Sequence, residues 1–305
     1  MDINNNKFLV YLASSISIIL WGLSYIWSNQ LISLGVPITF FVFVRISLAA
    51  IILLSFNLLS GKFQRIHKED LLCFLMLSFC EPLIYFLAET YGIKETGSPT
   101  ISAMVIATVP IVSLVVGYLV FKESVTWLNA LGVMLALGGL AFVLFCKFDV
   151  GVGDNFIFGI LLLLLAVFAE VGHASFTKKL SSRYSPQNIA MYQFCFGAVY
   201  FLPFFLTDGI DTFDASLLGN WSLWRPMLCL AVLCSSIAFS LWAFSIKKLG
   251  VARSSVFLAM ISIVTAVSAT LLGQETLSLT QWLGVAVCAG GVILSQKGAS
   301  RKKNA

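Results

Sequence analysis

Charge is scarce in this sequence. Only 11% of its 305 residues are Asp, Glu, Lys or Arg, and 59% are apolar. Soluble domains carry about 25% charged residues, so these few cannot cover a water-soluble fold. Histidine is scarcer, with two residues, His67 and His173, which excludes HExxH and His-rich metal arrays. No Walker A sequence occurs, so ATP hydrolysis is not expected of this chain. The seven cysteines, Cys73, Cys80, Cys146, Cys195, Cys229, Cys234 and Cys288, all lie in or at apolar runs. Their odd number and the lack of any CxxC argue against a disulfide frame or a zinc site, and they read as small buried hydrophobes. No catalytic residue, metal ligand or cofactor is expected. Long polar stretches are missing too: the longest connection between apolar runs, 207–224, has 18 residues, too few for a soluble domain. Together these absences exclude a secreted protein, a cytosolic enzyme and a tethered catalytic domain.

What the chain has is apolar runs of membrane-crossing length, about 20 residues each. Ten are legible: 8–28, 37–58, 71–91, 99–121, 126–146, 155–176, 186–206, 225–246, 252–272 and 279–296. The first follows Lys7 as a signal peptide would, but it ends in Trp21, Tyr25 and Trp27 rather than an A-x-A cleavage site, so it is read as a span. The expected fold is all-α, a polytopic membrane protein of ten transmembrane helices.

Basic residues orient it. With the N-terminus inside, the inner segments hold Lys7, Lys62, Arg65, Lys68, Lys122, Lys178, Lys179, Arg183, Lys247, Lys248, Arg253, Lys297, Arg301, Lys302 and Lys303. The outer connections hold only Lys94, Lys147 and Arg225, while Asp208, Asp211 and Asp214 crowd one of them. This is the positive-inside pattern and predicts cytoplasmic termini. The net charge of +5 therefore reports orientation in a bilayer and not nucleic-acid binding.

The chain also repeats itself. IKETG (93–97) matches IKKLG (246–250), and FKESVTWLNALGVMLALGG (121–139) matches GQETLSLTQWLGVAVCAGG (273–291). Glu123, Gly132, Gly138 and Gly139 pair with Glu275, Gly284, Gly290 and Gly291, and Pro37 opens span 2 as Pro186 opens span 7. Residues 1–150 and 151–305 thus form two five-span units. Five is odd, so the second unit runs through the bilayer in the opposite direction, a construction used by secondary transporters with a central site between the halves.

On these residues the sequence resembles the EamA family of the drug/metabolite transporter superfamily. Trp21-Gly22 followed by Arg45 in span 2 matches the family's opening, and both repeats end with an acidic residue and a G-x5-GG helix. The resemblance implies ten spans, a cavity shared by the halves and transport of small metabolites, with a bacterial inner membrane as the expected location. The second repeat departs from the pattern: Glu170-Val171 replaces Trp-Gly and Phe194 replaces the Arg.

Charges at bilayer depth cost about 2.5–3.5 kcal/mol even on lenient scales, so they mark function. Arg45, Glu81, Glu89 and Glu170 lie within spans, with His173 beside the last. Glu81, Tyr85 and Glu89 share one helix stripe, and Pro82 frees the Ser78 carbonyl beside it. Glu89, close to the outer surface, is expected to be solvated. Glu170, His173 and Thr177 form a second stripe, and Ser14, Ser17, Trp21, Ser24, Tyr25 and Ser28 a third on span 1. The expected cavity residues are Trp21, Tyr25, Arg45, Glu81, Tyr85, Glu170 and His173. Arg45 either pairs with Glu81 or receives a substrate carboxylate or phosphate; Glu170 and His173 are either solvated or a proton site. Pro110 and Pro203 mark kinks or hinges, while the glycines of spans 5 and 10, read as lying on one face, are assigned to helix packing. The expected partners are a small-molecule substrate, the lipid bilayer and, as a candidate coupling ion, the proton, in a monomer or a homodimer. An intramembrane enzyme would need a nucleophile–base set or metal cluster, and a sensor a soluble domain. The expected function is a secondary transporter, an exporter of small metabolites such as amino acids, working by alternating access.

Overall fold

The computed structural model describes residues 3–121, 126–150, 153–251, 254 and 256–297. Glu123 of the repeat pairing, and Lys122, Arg253, Arg301, Lys302 and Lys303 of the charge pattern, lie outside them. Among the described residues the fold is all helical, without strands. Seven helices are long and apolar enough to cross a membrane: Phe8–Ser33, Ile38–Leu59, Lys68–Thr96, Trp127–Cys146, Phe156–Leu180, Pro186–Gly209 and Trp221–Leu249. Three shorter apolar helices, Pro99–Val115, Ala259–Leu271 and Leu279–Ser295, fall in the remaining expected spans. This is a multi-pass membrane protein.

Local chemistry sets the breaks. Helix α1 (Ile3–Ser33) stops where Gly35 takes φ 76° and Pro37 follows, before α2 (Ile38–Leu59). A left-handed residue cheap only for Gly, then a Pro that cannot continue, is a standard helix stop. Span 3 is interrupted: α3 (Leu71–Ser78) and α4 (Tyr85–Thr96) flank a π turn, Phe79–Ile84, in which Glu81 has non-helical backbone angles ahead of Pro82. It also runs past its expected end to Thr96, where Gly97 at φ 58° closes it. Ser98 then accepts a hydrogen bond from the Ile101 N–H (3.1 Å) to open α5 (Pro99–Ile106), which a turn separates from α6 (Val109–Phe121) just ahead of Pro110. After α7 (Trp127–Val150), α8 (Phe156–Leu180) and α9 (Pro186–Phe204), span 8 holds an unforeseen π stretch. Between α10 (Trp221–Leu228) and α11 (Phe239–Leu249), residues Cys229–Ala238 are π-helical, and the Ser236 hydroxyl donates five residues back, to the Ala231 carbonyl (2.9 Å). The last helices are α12 (Ala259–Leu271) and α13 (Leu279–Lys297).

The main packings join the two halves. Span 2 lies on span 7 (α2 on α9) and span 5 on span 10 (α7 on α13); span 3 packs on span 6, and span 1 on span 8. Span 1 also meets span 9, as span 4 meets span 6. Exchanging the repeats maps this set onto itself, the pattern a two-fold relation produces.

Spans 5 and 10 meet backbone to backbone. A Cβ on Gly132 would lie 2.2 Å from the Ser295 nitrogen, one on Gly139 2.6 Å from the Cys288 nitrogen, and one on Gly291 2.3 Å from the Ala136 nitrogen. Without hydrophobic drive in lipid, such close approach supplies the packing. The expectation that all six glycines share one face fails: Gly138 and Gly290 meet nothing within 4 Å. At about 100° per residue, seven positions return nearly to the same face and six miss it by about 120°. Gly139→Leu is therefore expected to lower stability by about 2–3 kcal/mol, the cost of overpacking, with Gly138→Leu close to neutral; thermal unfolding in detergent compares them.

Candidate functional site

The three polar stripes meet between the halves around a small cavity of about 30 Å³. From the first half Trp21, Tyr25, Arg45, Glu81, Tyr85 and Glu89 line it; from the second, Glu170, Phe239, Leu258 and Ile261 do. His173 stands behind Glu81 and Glu170. The seven expected site residues thus come together, six on the cavity wall and His173 against it. Arg45, Glu81, Glu89, Glu170 and His173 are each at most 5% exposed.

His173 is the meeting point. Its Nδ1 lies 3.0 Å from Glu81 Oε2 and 3.0 Å from Glu170 Oε2. A nitrogen lone pair facing two carboxylates would be repelled, so Nδ1 carries a proton. That N–H is directed at Glu170, leaving Glu81 Oε2 without a hydrogen bond, and Glu170 Oε1 is also without one. On the other side, Nε2 faces Gln193 Oε1 (3.2 Å) and Thr177 Oγ1 (3.3 Å). The break at Glu81-Pro82 brings the Glu81 carboxylate to α8, and Gly197 of α9 gives the proline ring room: a Cβ there would lie 2.3 Å from Pro82 Cγ.

Arg45 does not pair with Glu81. Its Nε donates to Ser235 Oγ (2.8 Å) and its guanidinium lies over the Phe86 ring, 4.1 Å from the centroid. Among the described residues no ion pair holds it, because Glu81 has turned to His173. Its terminal nitrogens make no hydrogen bond there either. Glu89, expected to be solvated, is instead buried and accepts a hydrogen bond from the Tyr85 hydroxyl (3.1 Å); with span 3 extended to Thr96, its depth is no longer that of a helix end. Sequence reasoning missed Ser235, Phe86, Phe239 and Gln193. Only Gln193, polar in an apolar run and one residue from the position matching Arg45, carried a signal. The span 1 stripe faces span 8: Ser14 bonds Ser245 (2.9 Å), Ser17 the Ala238 carbonyl (3.0 Å) and Trp21 Nε1 the Cys234 carbonyl (3.3 Å).

Polar seams between the halves close both ends. At the basic end Tyr184 and Arg183 donate to Asp70 (3.0 and 3.2 Å), the Ser185 N–H to Gln64 Oε1 (2.7 Å) and the Gln64 N–H to Asn188 Oδ1 (2.9 Å). At the opposite end Asn29 donates to Gln274 Oε1 (3.0 Å), Gln274 Nε2 donates to the Ile26 carbonyl (3.2 Å), and the Thr100 hydroxyl donates to Glu275.

The EamA-like transporter family model matches twice, over residues 8–145 and 157–296. The chain belongs to the EamA-like transporter family. Its similarity to individual members is low but extends along most of the chain. It is 24% identical over 254 residues to the uncharacterized transporter YetK of Bacillus subtilis (strain 168), covering 83% of this chain and 76% of that one. An uncharacterized transporter of Archaeoglobus fulgidus is 23% identical over 288 residues, 93% of this chain and 97% of its own. A probable terminal-alkyne amino-acid exporter of Streptantibioticus cattleyicolor is 25% identical over 207 residues, 67% of this chain and 66% of its own. One solved crystal structure superposes with a TM-score of 0.70 at 15% identity, covering 96% of this chain and 98% of the other, which establishes a shared fold.

Removing the imidazole leaves two buried carboxylates facing each other. His173→Gln is expected to cost about 3–5 kcal/mol, the range for breaking a buried ion pair. The double variant Glu81→Gln/His173→Gln recovers part of it, and a thermal double-mutant cycle measures the coupling.

Proposed function

We propose that this EamA-like protein is a secondary transporter, an exporter of small metabolites such as amino acids, working by alternating access and driven by protons. The observation that carries the reading is one buried, charged cavity walled by both halves and closed at each end by seams between them. Opening one seam while the other holds would expose Glu81, Glu170 and Arg45 to one side at a time. The three shorter apolar helices complete ten spans as two five-helix units, residues 1–150 and 151–305, of opposite orientation. Both termini then lie in the cytoplasm and the chain in the cell membrane of a bacterium, in keeping with the basic residues gathered at one end. The printed name of the Streptantibioticus cattleyicolor relative, an amino-acid exporter, supports the substrate class. The relatives are named transporters, and we read this chain as a transporter and not an enzyme.

Protons enter through the carboxylates that His173 joins. Carboxylates and an imidazolium at bilayer depth are stable together and costly apart, so a change of protonation shifts the balance between the two openings. Reconstituted vesicles test this: uptake of a labelled amino-acid mixture is expected to rise with an imposed pH gradient. In Glu170→Gln that pH dependence is expected to be lost. Unchanged pH dependence in the variant would remove the coupling, and no flux in any condition would remove the transport reading.

A further inference from the structure

Counted across the cavity, the buried charges do not cancel. Arg45 and Glu89 balance each other in sum, lining the same space. Even counted as an imidazolium, His173 balances only one of Glu81 and Glu170. The second carboxylate is left over, at a depth where an unpaired ion is costly. Neutrality calls for one more positive charge, and only one. Its place is marked by atoms: Glu81 Oε2 and Glu170 Oε1 are buried without a hydrogen bond, and Glu81, Glu170 and His173 each present an atom within 4.8 Å of the others.

The surroundings suit an organic cation. Trp21 packs edge-on to Phe239 and Trp242, with centroids 5.0 and 5.2 Å away, and Trp21, Tyr25 and Phe239 line the cavity beside the two carboxylates. Aromatic faces attract desolvated ammonium groups. Along the cavity wall an anion would find one cation, Arg45, with three carboxylates against it.

We propose that the cavity takes substrates of net charge +1, an amine or a cationic amino acid, and exchanges each for one proton held between Glu81 and Glu170. The inference rests on reading the cavity as the transport site. Charge is conserved: the protonated resting cavity is neutral, the cation enters, one proton leaves to water, and the cavity is neutral again. A zwitterion cannot do this, because it adds no net charge to replace the proton. Other titratable groups facing the pair are Cys80 on the π turn, Tyr85 and Glu89 on α4 and Tyr25 on α1, with Arg45 on α2 lining the same cavity. α9 brings the uncharged Gln193, α11 turns Phe239 to it, and α5 has no titratable side chain.

The test uses the purified full chain in weakly buffered detergent with a pH-indicating dye. Lysine and isopentylamine are the +1 probes, leucine the zwitterion and N-acetyl-leucine the anion. The +1 probes are expected to release close to one proton per molecule bound, and their affinity to rise up to tenfold per pH unit, the slope of one-proton exchange. Glu81→Gln is expected to abolish the release; should that variant fail to fold, the pH slope of the unaltered protein decides. Tighter binding of leucine or N-acetyl-leucine, binding of the +1 probes without proton release, or no binding by any probe would overturn the proposal. Vesicle flux separates it from the reading it rests on. Flux of leucine but not lysine leaves transport standing and removes this inference; no flux of any of the four removes both.

Discussion

An imidazole held between two carboxylates inside a lipid-facing bundle is the constraint from which the rest of the molecule follows. His173 and Glu170 come from one half of the chain and Glu81 from the other, with His173 3.0 Å from each carboxylate. None of the three can be turned toward lipid without an unpaired ion, so the halves must meet face to face at this depth. The irregular backbone nearby follows from the same demand. A regular helix through Glu81 would carry its side chain along the α4 stripe; the break ahead of Pro82 points it at α8 instead. Non-helical backbone is tolerated at membrane depth only where protein or water covers it, and α9 covers it here, with Gly197 against the proline ring.

Around this centre the helices divide their labour. Spans 5 and 10 hold each other through glycine backbones and contribute no charged group to the cavity. Spans 1, 2, 3, 6 and 8 carry its polar and aromatic side chains, and spans 3 and 8 contain π turns. Such turns often mark functional places in helices, because the wider ring frees backbone groups and re-aims side chains. In span 8 the π stretch sets Ser235 against Arg45. The seams that close the cavity are hydrogen-bonded, and their Arg183–Asp70 pair is partly exposed to water, so they can part at modest cost, whereas the centre cannot be divided without charge compensation.

Much of this was legible in the sequence because membranes penalise the exceptions. Apolar runs gave helices where they were expected, and costly intramembrane charges named Arg45, Glu81, Glu170 and His173. What periodicity could not supply was the pairing. Arg45 and Glu81 looked like natural partners on adjacent spans, but a local break at Glu81-Pro82 sent the carboxylate elsewhere, and no helical wheel contains that break. Glu89 was misjudged for a related reason: span 3 continues to Thr96, so its depth was underestimated. Gly138 and Gly290 show the limit of motif reading, since six residues do not complete two turns. Ser235 lies on a stretch whose period is not 3.6 and Phe239 directly follows it, so a 3.6-residue ruler misplaces both.

The central claim is that His173 carries a proton on Nδ1 between two carboxylates. The chain has two histidines, so in a His67→Gln variant the nitrogen-15 spectrum of labelled imidazole reports His173 alone. The account predicts a protonated Nδ1 at neutral pH, and a changed Nδ1 signal in Glu81→Gln/Glu170→Gln. An unprotonated Nδ1 at neutral pH, or an Nδ1 signal indifferent to both glutamates, would contradict it.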